Sequence, residues 1–292
     1  MARRVIGQAE RRFAALVLLP AAGLLLVFRI VPLIWGFVLS FTNSDGLGQA
    51  DWVGLANYRG VVTDQAFRDS LVNTVLVLAT LPIWILLPML LALLIHQGVP
   101  GGRFFRAVYF LPAVLSSVIV GSIFNVVLRF DGSLNAALKA IGLSPVDWLG
   151  NGGTALASLV AVHLWSTFGM SVLIFLAGLS TINQEMLEAA KLDGAKFWAR
   201  LRFIVIPTLR PIIEFVAVVT TIGLLTGMFG LIYVLTAGGP GTSTTLPEFL
   251  IWLEQGKLNR PGYAAAISAV LFALMAGVAW AQVRIMSRNA EL

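Results

Sequence analysis

The chain has 292 residues, of which 58% are hydrophobic and only 12% are charged, and its mean hydropathy is +0.89. A soluble fold cannot bury so much apolar surface, so a polytopic membrane protein is predicted. The absence of cysteine excludes disulfides and thiolate sites, and the net charge of +6 comes from short basic groups beside apolar segments, a pattern that does not favour nucleic-acid binding.

The N-terminal segment, residues 1–12, carries four arginines and precedes a long apolar stretch over residues 13–41. No small-residue cleavage site closes this stretch, which exceeds the length of a signal peptide, so a retained first span is predicted. Pro20 and Pro32 are expected to kink it. Arg29 is interpreted as a side chain that snorkels to the outer interface, with a role in a translocation pathway as the alternative.

Five further apolar segments are long enough to cross a bilayer at about 20 residues each. We predict these spans over residues 71–95, 107–128, 156–179, 212–236 and 263–285. Together with the first span they form a single transmembrane domain, residues 13–292, that is all-α and has both termini on one side of the membrane.

The distribution of Lys and Arg predicts on which side of the membrane both termini lie. Lys and Arg are more than twice as frequent in the termini, the turn near Arg103 and Arg106, and residues 181–211 as in the three loops on the other side. By the positive-inside rule, both termini and residues 181–211 are predicted to be cytoplasmic.

Residues 181–211 form a charged island between the predicted fourth and fifth spans. Thr181 begins a capping-box pattern and Asn183 is a second candidate cap, so a short helix is predicted to start here. Gly194 is expected to allow a turn, and a second helix is expected to start at Lys196 and lead into the fifth span. The prediction is a helix-turn-helix.

The same segment carries the most specific motif of the chain. Its positions and spacing resemble the EAA signature of permease subunits in binding-protein-dependent ABC importers: Glu188, Ala189, Ala190, Gly194, Ile204, Ile206 and Pro207. Ile206 departs from the Leu that is usual in that family. Weaker similarities to sugar-type members, which include maltose, glycerol-phosphate and trehalose permeases, are WVGLANY from Trp52, FLP from Phe110 and LTAGGP from Leu235.

The resemblance implies a permease in the bacterial cytoplasmic membrane that forms a heterodimer with a second homologous permease. Their shared pathway would carry a carbohydrate or related polyhydroxylated solute, such as a polyol or glycerol phosphate derivative, delivered by an extracytoplasmic solute-binding protein. Two ATPase subunits would use ATP and Mg, so this chain would be no enzyme and would bind no cofactor. The residues implied to seat on an ATPase are Glu188, Ala189, Ala190, Asp193, Gly194 and Pro207.

The resemblance also implies a solute pathway on the fourth and fifth spans. The implied residues are His163, Trp165, Ser166, Thr167, Met170, Thr221 and Met228. Four of them, at 163, 166, 167 and 170, share one helical face, where hydrogen-bonding groups beside an aromatic ring suit a hydroxyl-rich solute. The alternative is that the hydroxyls join helices and His163 is a buried bundle residue.

An ion-coupled secondary transporter is the alternative function. Such carriers normally need carboxylates or broken helices near the middle of the membrane. The predicted second, third, fourth and sixth spans contain no Asp or Glu, and Glu214 in the fifth follows Arg210 by four residues, which favours a local ion pair. The sequence also contains no nucleotide-binding loop, metal-binding motif or repeat between its halves. An ATP-driven importer is therefore favoured.

Overall fold

The computed structural model describes residues 8–48, 50–96 and 102–290. All of the turn predicted at 98–102 except Gly102 lies outside the described residues, as do the arginines Arg3 and Arg4. Six helices are long and apolar enough to cross a membrane, and we number them as spans one to six: Leu16–Leu39, Gln65–His96, Ser117–Ala140, Gly152–Leu179, Phe197–Thr226 and Pro261–Met286. The predicted all-α polytopic fold with six spans is confirmed.

By its contacts the chain divides into two units. The first contains the residues up to Thr63 together with Ile251–Val270. Its elements are helices Gln8–Leu25, Val31–Leu39 and Ala56–Thr63, π-helical turns Leu26–Ile30 and Leu253–Lys257, and antiparallel strands Thr42–Ser44 and Ala50–Trp52. The turn that contains Arg29 comes directly before Val31-Pro32. Because proline has no backbone N–H to donate, the ladder of helical hydrogen bonds shifts at this point.

Side chains of the WVGLANY motif bind the end of span one in the first unit. The amide of Asn57 donates to the carbonyl oxygens of Ser40 and Thr42, both at 2.9 Å. The hydroxyl of Tyr58 lies 2.6 Å from that of Ser40. The ring of Trp52 stacks on the ring of Phe41, just before the hairpin. The motif therefore serves local packing in this unit.

The second unit contains Asp64–Leu250 and Leu271–Leu292. Its helices are Gln65–Ala79, Leu81–His96, Gly102–Val114, Ser117–Leu128, Ser133–Ala140, Gly152–Leu179, Gln184–Leu192, Phe197–Arg200, Ile206–Thr226 and Phe229–Leu235, and the long helix Pro261–Ala290 enters it from the first unit. Helix Pro247–Trp252 runs from the second unit into the first. The core lies among spans two, four and five, where Ala92, Phe175 and Leu209 have no exposed surface.

Two predicted spans are broken in the structure, and the predicted second span has a one-residue interruption at Thr80. In the third, helix Gly102–Val114 ends and Ser116 starts a new helix by accepting the N–H of Ile119 at 3.3 Å. In the fifth, the helix ends at Thr226 and the chain resumes as helix Phe229–Leu235 after Gly227. The structure thus differs from the expected continuous helices over 107–128 and 212–236, because a capping hydroxyl and a helix-ending glycine outweigh uniform hydrophobicity.

Candidate functional site

Spans four and five border a cavity of about 430 Å³, which we term the pathway cavity. Span four contributes His163, Ser166, Thr167, Met170, Ser171 and Ile174, and span five contributes Val216, Val219, Thr220, Gly223, Leu224 and the following Gly227. Trp84 from span two completes the lining with Ala113, Leu115 and Ser117, which flank the break before span three.

Four of the predicted pathway residues meet in this cavity: His163, Ser166, Thr167 and Met170. They do so because their spacing places them on one side of an uninterrupted helix. The hydroxyls of Ser166 and Thr167 both donate to the carbonyl oxygen of His163, at 2.9 and 2.8 Å. Since each proton is used on the backbone, each hydroxyl presents acceptor lone pairs to the cavity.

His163 is positioned by span two. Its ring centroid lies 5.2 Å from that of Trp84, whose indole N–H donates to the hydroxyl of Thr80 at 2.9 Å. No described residue hydrogen-bonds the imidazole of His163, although the residue is only 7% exposed. Buried polar groups normally have partners, so a ring that borders a cavity without one is suited to a solute hydroxyl.

Three predicted pathway residues are not among the described residues that line the cavity. The ring of Trp165 packs edge-to-face against Phe124 at 5.1 Å. Thr221 donates to a backbone carbonyl of its own helix and accepts from the amide of Gln282 on span six at 2.8 Å. Met228 is fully buried. Sequence reasoning missed Thr220, which lines the cavity instead of Thr221. The two threonines are adjacent in a mainly apolar part of span five, so the local sequence does not indicate which of them faces the cavity.

The cavity wall carries no formal charge among the described residues, since none of those lining it is Lys, Arg, Asp or Glu. Its polar groups are hydroxyls and one imidazole. The acid of the fifth span lies elsewhere: Glu214 accepts from Arg210 at 2.9 Å within one helical turn, which confirms the predicted local ion pair. The wall therefore suits an uncharged solute with several hydroxyl groups.

Glu248 stabilises the helix break that borders the cavity. Sequence reasoning did not identify this residue. One of its carboxylate oxygens accepts the N–H of Met228 at 2.8 Å, and the backbone N–H of Phe229 also donates to it. These donors begin helix Phe229–Leu235, directly after the cavity residue Gly227. Burial raises the pKa of Glu248 to about 7, and the two backbone hydrogen bonds oppose that rise. Because Glu248 lies twenty residues from Met228, whose N–H it accepts, no local pattern could indicate the contact.

Residues 181–211, which we term the coupling segment, begin with a capped helix. Asn183 is the N-cap of helix Gln184–Leu192, because its side-chain oxygen accepts the N–H of Glu185 at 2.8 Å. The Thr181 hydroxyl donates instead to the carbonyl oxygen of Gly178. The capping box predicted at Thr181 is therefore wrong, and the second candidate cap is confirmed.

The predicted turn and second helix are confirmed. Gly194 has φ +77°, a left-handed conformation that favours glycine. Helix Phe197–Arg200 then continues through the π-helical turn Leu201–Val205 into Ile206–Thr226. This π-helical turn comes just before Pro207, as the π-helical turn Leu26–Ile30 comes just before Pro32. In both cases the proline has no backbone N–H to donate.

The motif positions of the coupling segment face outward. Glu188, Ala189, Asp193, Gly194 and Pro207 are exposed, and Ala190 is half-buried. Large apolar side chains stand beside them: Leu192 is 89% and Trp198 71% exposed. In a polar segment, so much exposed apolar surface is typical of an interaction site.

Comparison with known proteins gives the family. Residues 53–289 match the family described as binding-protein-dependent transport system inner membrane component. The multiple sugar-binding transport system permease protein MsmF of Streptococcus mutans is 36% identical over 270 residues, which cover 90% of this chain and 91% of that protein. The trehalose/maltose transport system permease protein MalF of Thermococcus litoralis is 31% identical over 269 residues, covering 91% of this chain and 90% of that protein.

The fold agrees with that assignment. The crystal structure of a bacterial alginate ABC transporter, in complex with an alginate pentasaccharide-bound periplasmic protein, contains a chain that matches with a TM-score of 0.85 at 23% identity, over 98% of both chains. A bacterial ABC transporter involved in alginate import matches with a TM-score of 0.84 at 23% identity, over 94% of this chain and 95% of that chain. With its six spans, the chain belongs to the family of inner-membrane components of binding-protein-dependent transport systems.

Proposed function

We propose that this permease forms, with a second homologous permease, the pathway of an ATP-driven importer for an uncharged carbohydrate or similar polyhydroxylated solute. A solute-binding protein outside the membrane delivers the solute, and two ATPase subunits that use ATP and Mg drive the cycle. The observation that carries the proposal is the pathway cavity between spans four and five. Its polar lining consists of hydroxyls and one imidazole, and none of the described lining residues is charged. The named relatives transport sugars, which supports the same solute class.

The chemistry of the cavity gives its mode of recognition. The hydroxyl oxygens of Ser166 and Thr167 can accept hydrogen bonds, and the imidazole of His163 has one nitrogen that can donate and one that can accept. Trp84 supplies an apolar ring face beside His163. Sugars present both hydroxyl groups and apolar C–H faces. A site of few polar groups on a mainly apolar wall is the usual composition of a small-molecule site.

The coupling segment supplies the link to ATP hydrolysis. We place the ATPase on the exposed surface around Glu188, Ala189 and Asp193, with Leu192 and Trp198 as its apolar anchors. A cytoplasmic position of this segment, and of both termini, follows from the excess of Lys and Arg on that side. Gly194 and Pro207 set the angle at which the segment enters span five.

The function is tested by uptake into vesicles that contain the whole transporter. His163→Ala and Thr167→Val each remove a hydrogen-bonding group from the pathway cavity, which leaves a solute hydroxyl unpaired at a cost of about 1–3 kcal/mol. The solute concentration for half-maximal transport should therefore rise about five- to hundredfold, with basal ATP hydrolysis and assembly unchanged.

Thr221→Val is the matched control, because Thr221 makes the same bond to its own helix but bonds Gln282 outside the cavity. It should lower thermal stability and leave the apparent solute affinity unchanged. Wild-type affinity in both cavity variants would overturn the pathway assignment, and assembly defects as the first effect would show that these groups only join helices.

A further inference from the structure

A second cavity of about 430 Å³ lies beside the coupling segment, and we term it the basic cavity. Its polar lining comes from His96, Lys191 and Arg200, and much of the remainder is apolar, including Leu93, Phe197 and Leu201. His96 is the last residue of span two, and the end of span four also contributes to the wall. The basic cavity therefore lies where two membrane-crossing helices end.

Within the part of the chain that the structure describes, the basic groups that line this cavity have no acidic partner. Among the described residues no Asp or Glu lines it, and no salt bridge or hydrogen bond engages the side chains of Lys191, Arg200 or His96. Three acids of the same segment, at 185, 188 and 193, are exposed and do not line it. Cations that share a concave, partly apolar wall raise the local positive potential, which attracts an anion.

The chemistry of the lining indicates which class of anion would bind. Lys191 and Arg200 can both donate to phosphate oxygens, and the guanidinium of Arg200 can do so with two parallel N–H groups. The apolar side chains on the same wall offer nothing to a fully hydrated ion but can cover a hydrocarbon chain. The position at the ends of two spans is the depth at which a lipid headgroup meets its acyl chains.

We propose that the basic cavity binds the phosphate group of an anionic phospholipid, with the start of an acyl chain along its apolar wall. Lys191 lies in the last turn of helix Gln184–Leu192, Arg200 lies on the helix beyond the turn, and His96 ends span two. A bound phosphate therefore joins both arms of the coupling segment to the membrane-spanning helices. This inference concerns lipid binding and holds whichever solute the permease carries.

The test measures lipid binding directly, by native mass spectrometry of the purified whole transporter in detergent. We expect phosphatidylglycerol to bind more tightly than phosphatidylcholine, and Lys191→Gln with Arg200→Gln to weaken its binding at least about tenfold through loss of charge-assisted hydrogen bonds. The control variant, Lys196→Gln with Arg202→Gln, removes the same charge from exposed positions of the segment that do not line the cavity. It should bind phosphatidylglycerol as the wild type does.

Three outcomes overturn the proposal. Equal binding of the two lipids would show that charge plays no part, and equal loss in both double variants would show a diffuse effect of net charge. Displacement of phosphatidylglycerol by millimolar inorganic phosphate would assign the site to a soluble phosphate instead of a lipid. None of these outcomes depends on transport, so each is separate from a failure of the proposed function.

Discussion

Gly169 lies where span four packs against the backbone of helix Gly102–Val114. A Cβ atom at this position would overlap the backbone carbonyl of Tyr109, which a small rotation of a side chain cannot relieve. Glycine is therefore required here by contact, although it weakens an isolated helix by about 1 kcal/mol relative to alanine.

We expect Gly169→Ala to destabilise the protein by about 1–3 kcal/mol through overpacking, despite the gain in helix propensity. Gly277→Ala is the matched control, because Gly277 also lies in a span helix and a Cβ there meets nothing within 4 Å. Thermal unfolding of the purified transporter measures both. A neutral Gly169→Ala would show that the two helices are farther apart than the structure places them.

Glu248 acts as a cap supplied from a distant part of the chain. Glu248→Ala leaves the N–H of Met228 without its partner, and we expect a loss of about 1–3 kcal/mol of stability. Glu248→Gln retains a side-chain oxygen that can accept the same hydrogen bond, so it should remain close to the wild type. Equal destabilisation in both variants would mean that the carboxylate charge, and not the acceptor, is required.

The raised pKa of Glu248 predicts the direction of a pH dependence. Between its ordinary pKa of 4.5 and its folded value of about 7, the folded protein holds a proton that the unfolded chain has released. The contribution of this group to stability is therefore complete at low pH and falls as pH rises through that window. Thermal unfolding from pH 5 to 7.5 should show this slope in the wild type and a smaller one in Glu248→Gln, and identical slopes would contradict the shift.

At the scale of elements, the coupling segment is a helix, a left-handed glycine and a second helix continuous with span five. Gly194→Leu forces a branched side chain into φ +77°, which costs roughly 1–2 kcal/mol and redirects the segment. We expect this variant to insert and assemble but to lose solute-stimulated ATP hydrolysis. Glu188→Lys, which reverses a charge on the exposed face, should have the same effect.

Gly142→Leu gives a matched control for backbone strain. Gly142 also follows a helix, Ser133–Ala140, and has φ +80° with open space around a Cβ atom. Because it lies outside the coupling segment, its substitution should reduce stability by a similar amount and leave ATP hydrolysis responsive to solute. Normal stimulation in Gly194→Leu, or its loss in Gly142→Leu, would remove the proposed role of the coupling segment.

At the scale of the whole molecule, the energy source of uptake separates the two candidate functions: the described residues of the pathway cavity include no carboxylate, although two broken helices border it. A proton or sodium ion has no acidic side chain to accompany a solute there, and Glu214 is already paired with Arg210. We expect uptake to require ATP and to persist when proton and sodium gradients are collapsed. Accumulation driven by either gradient without ATP would favour the secondary transporter.

Much of this architecture is local in origin and could be predicted. Hydropathy alone indicated six membrane-spanning helices, because each span must satisfy its backbone hydrogen bonds within one continuous apolar segment. The turn at Gly194 and the helix from Lys196 also followed from neighbouring residues. Likewise, the common face of His163, Ser166 and Thr167 follows from the period of one helix.

Residues close together along the chain therefore indicate the class of protein, the number of spans and the motif that marks the family. Contacts between distant segments, in contrast, determine that Thr220 and not Thr221 lines the pathway cavity, and that Glu248 accepts the N–H of Met228, twenty residues earlier. Such contacts also bring His96, Lys191 and Arg200 to one cavity wall. The reason is that packing sets helix rotation and contacts between distant segments, and predominantly apolar spans carry too weak a periodic pattern to indicate either.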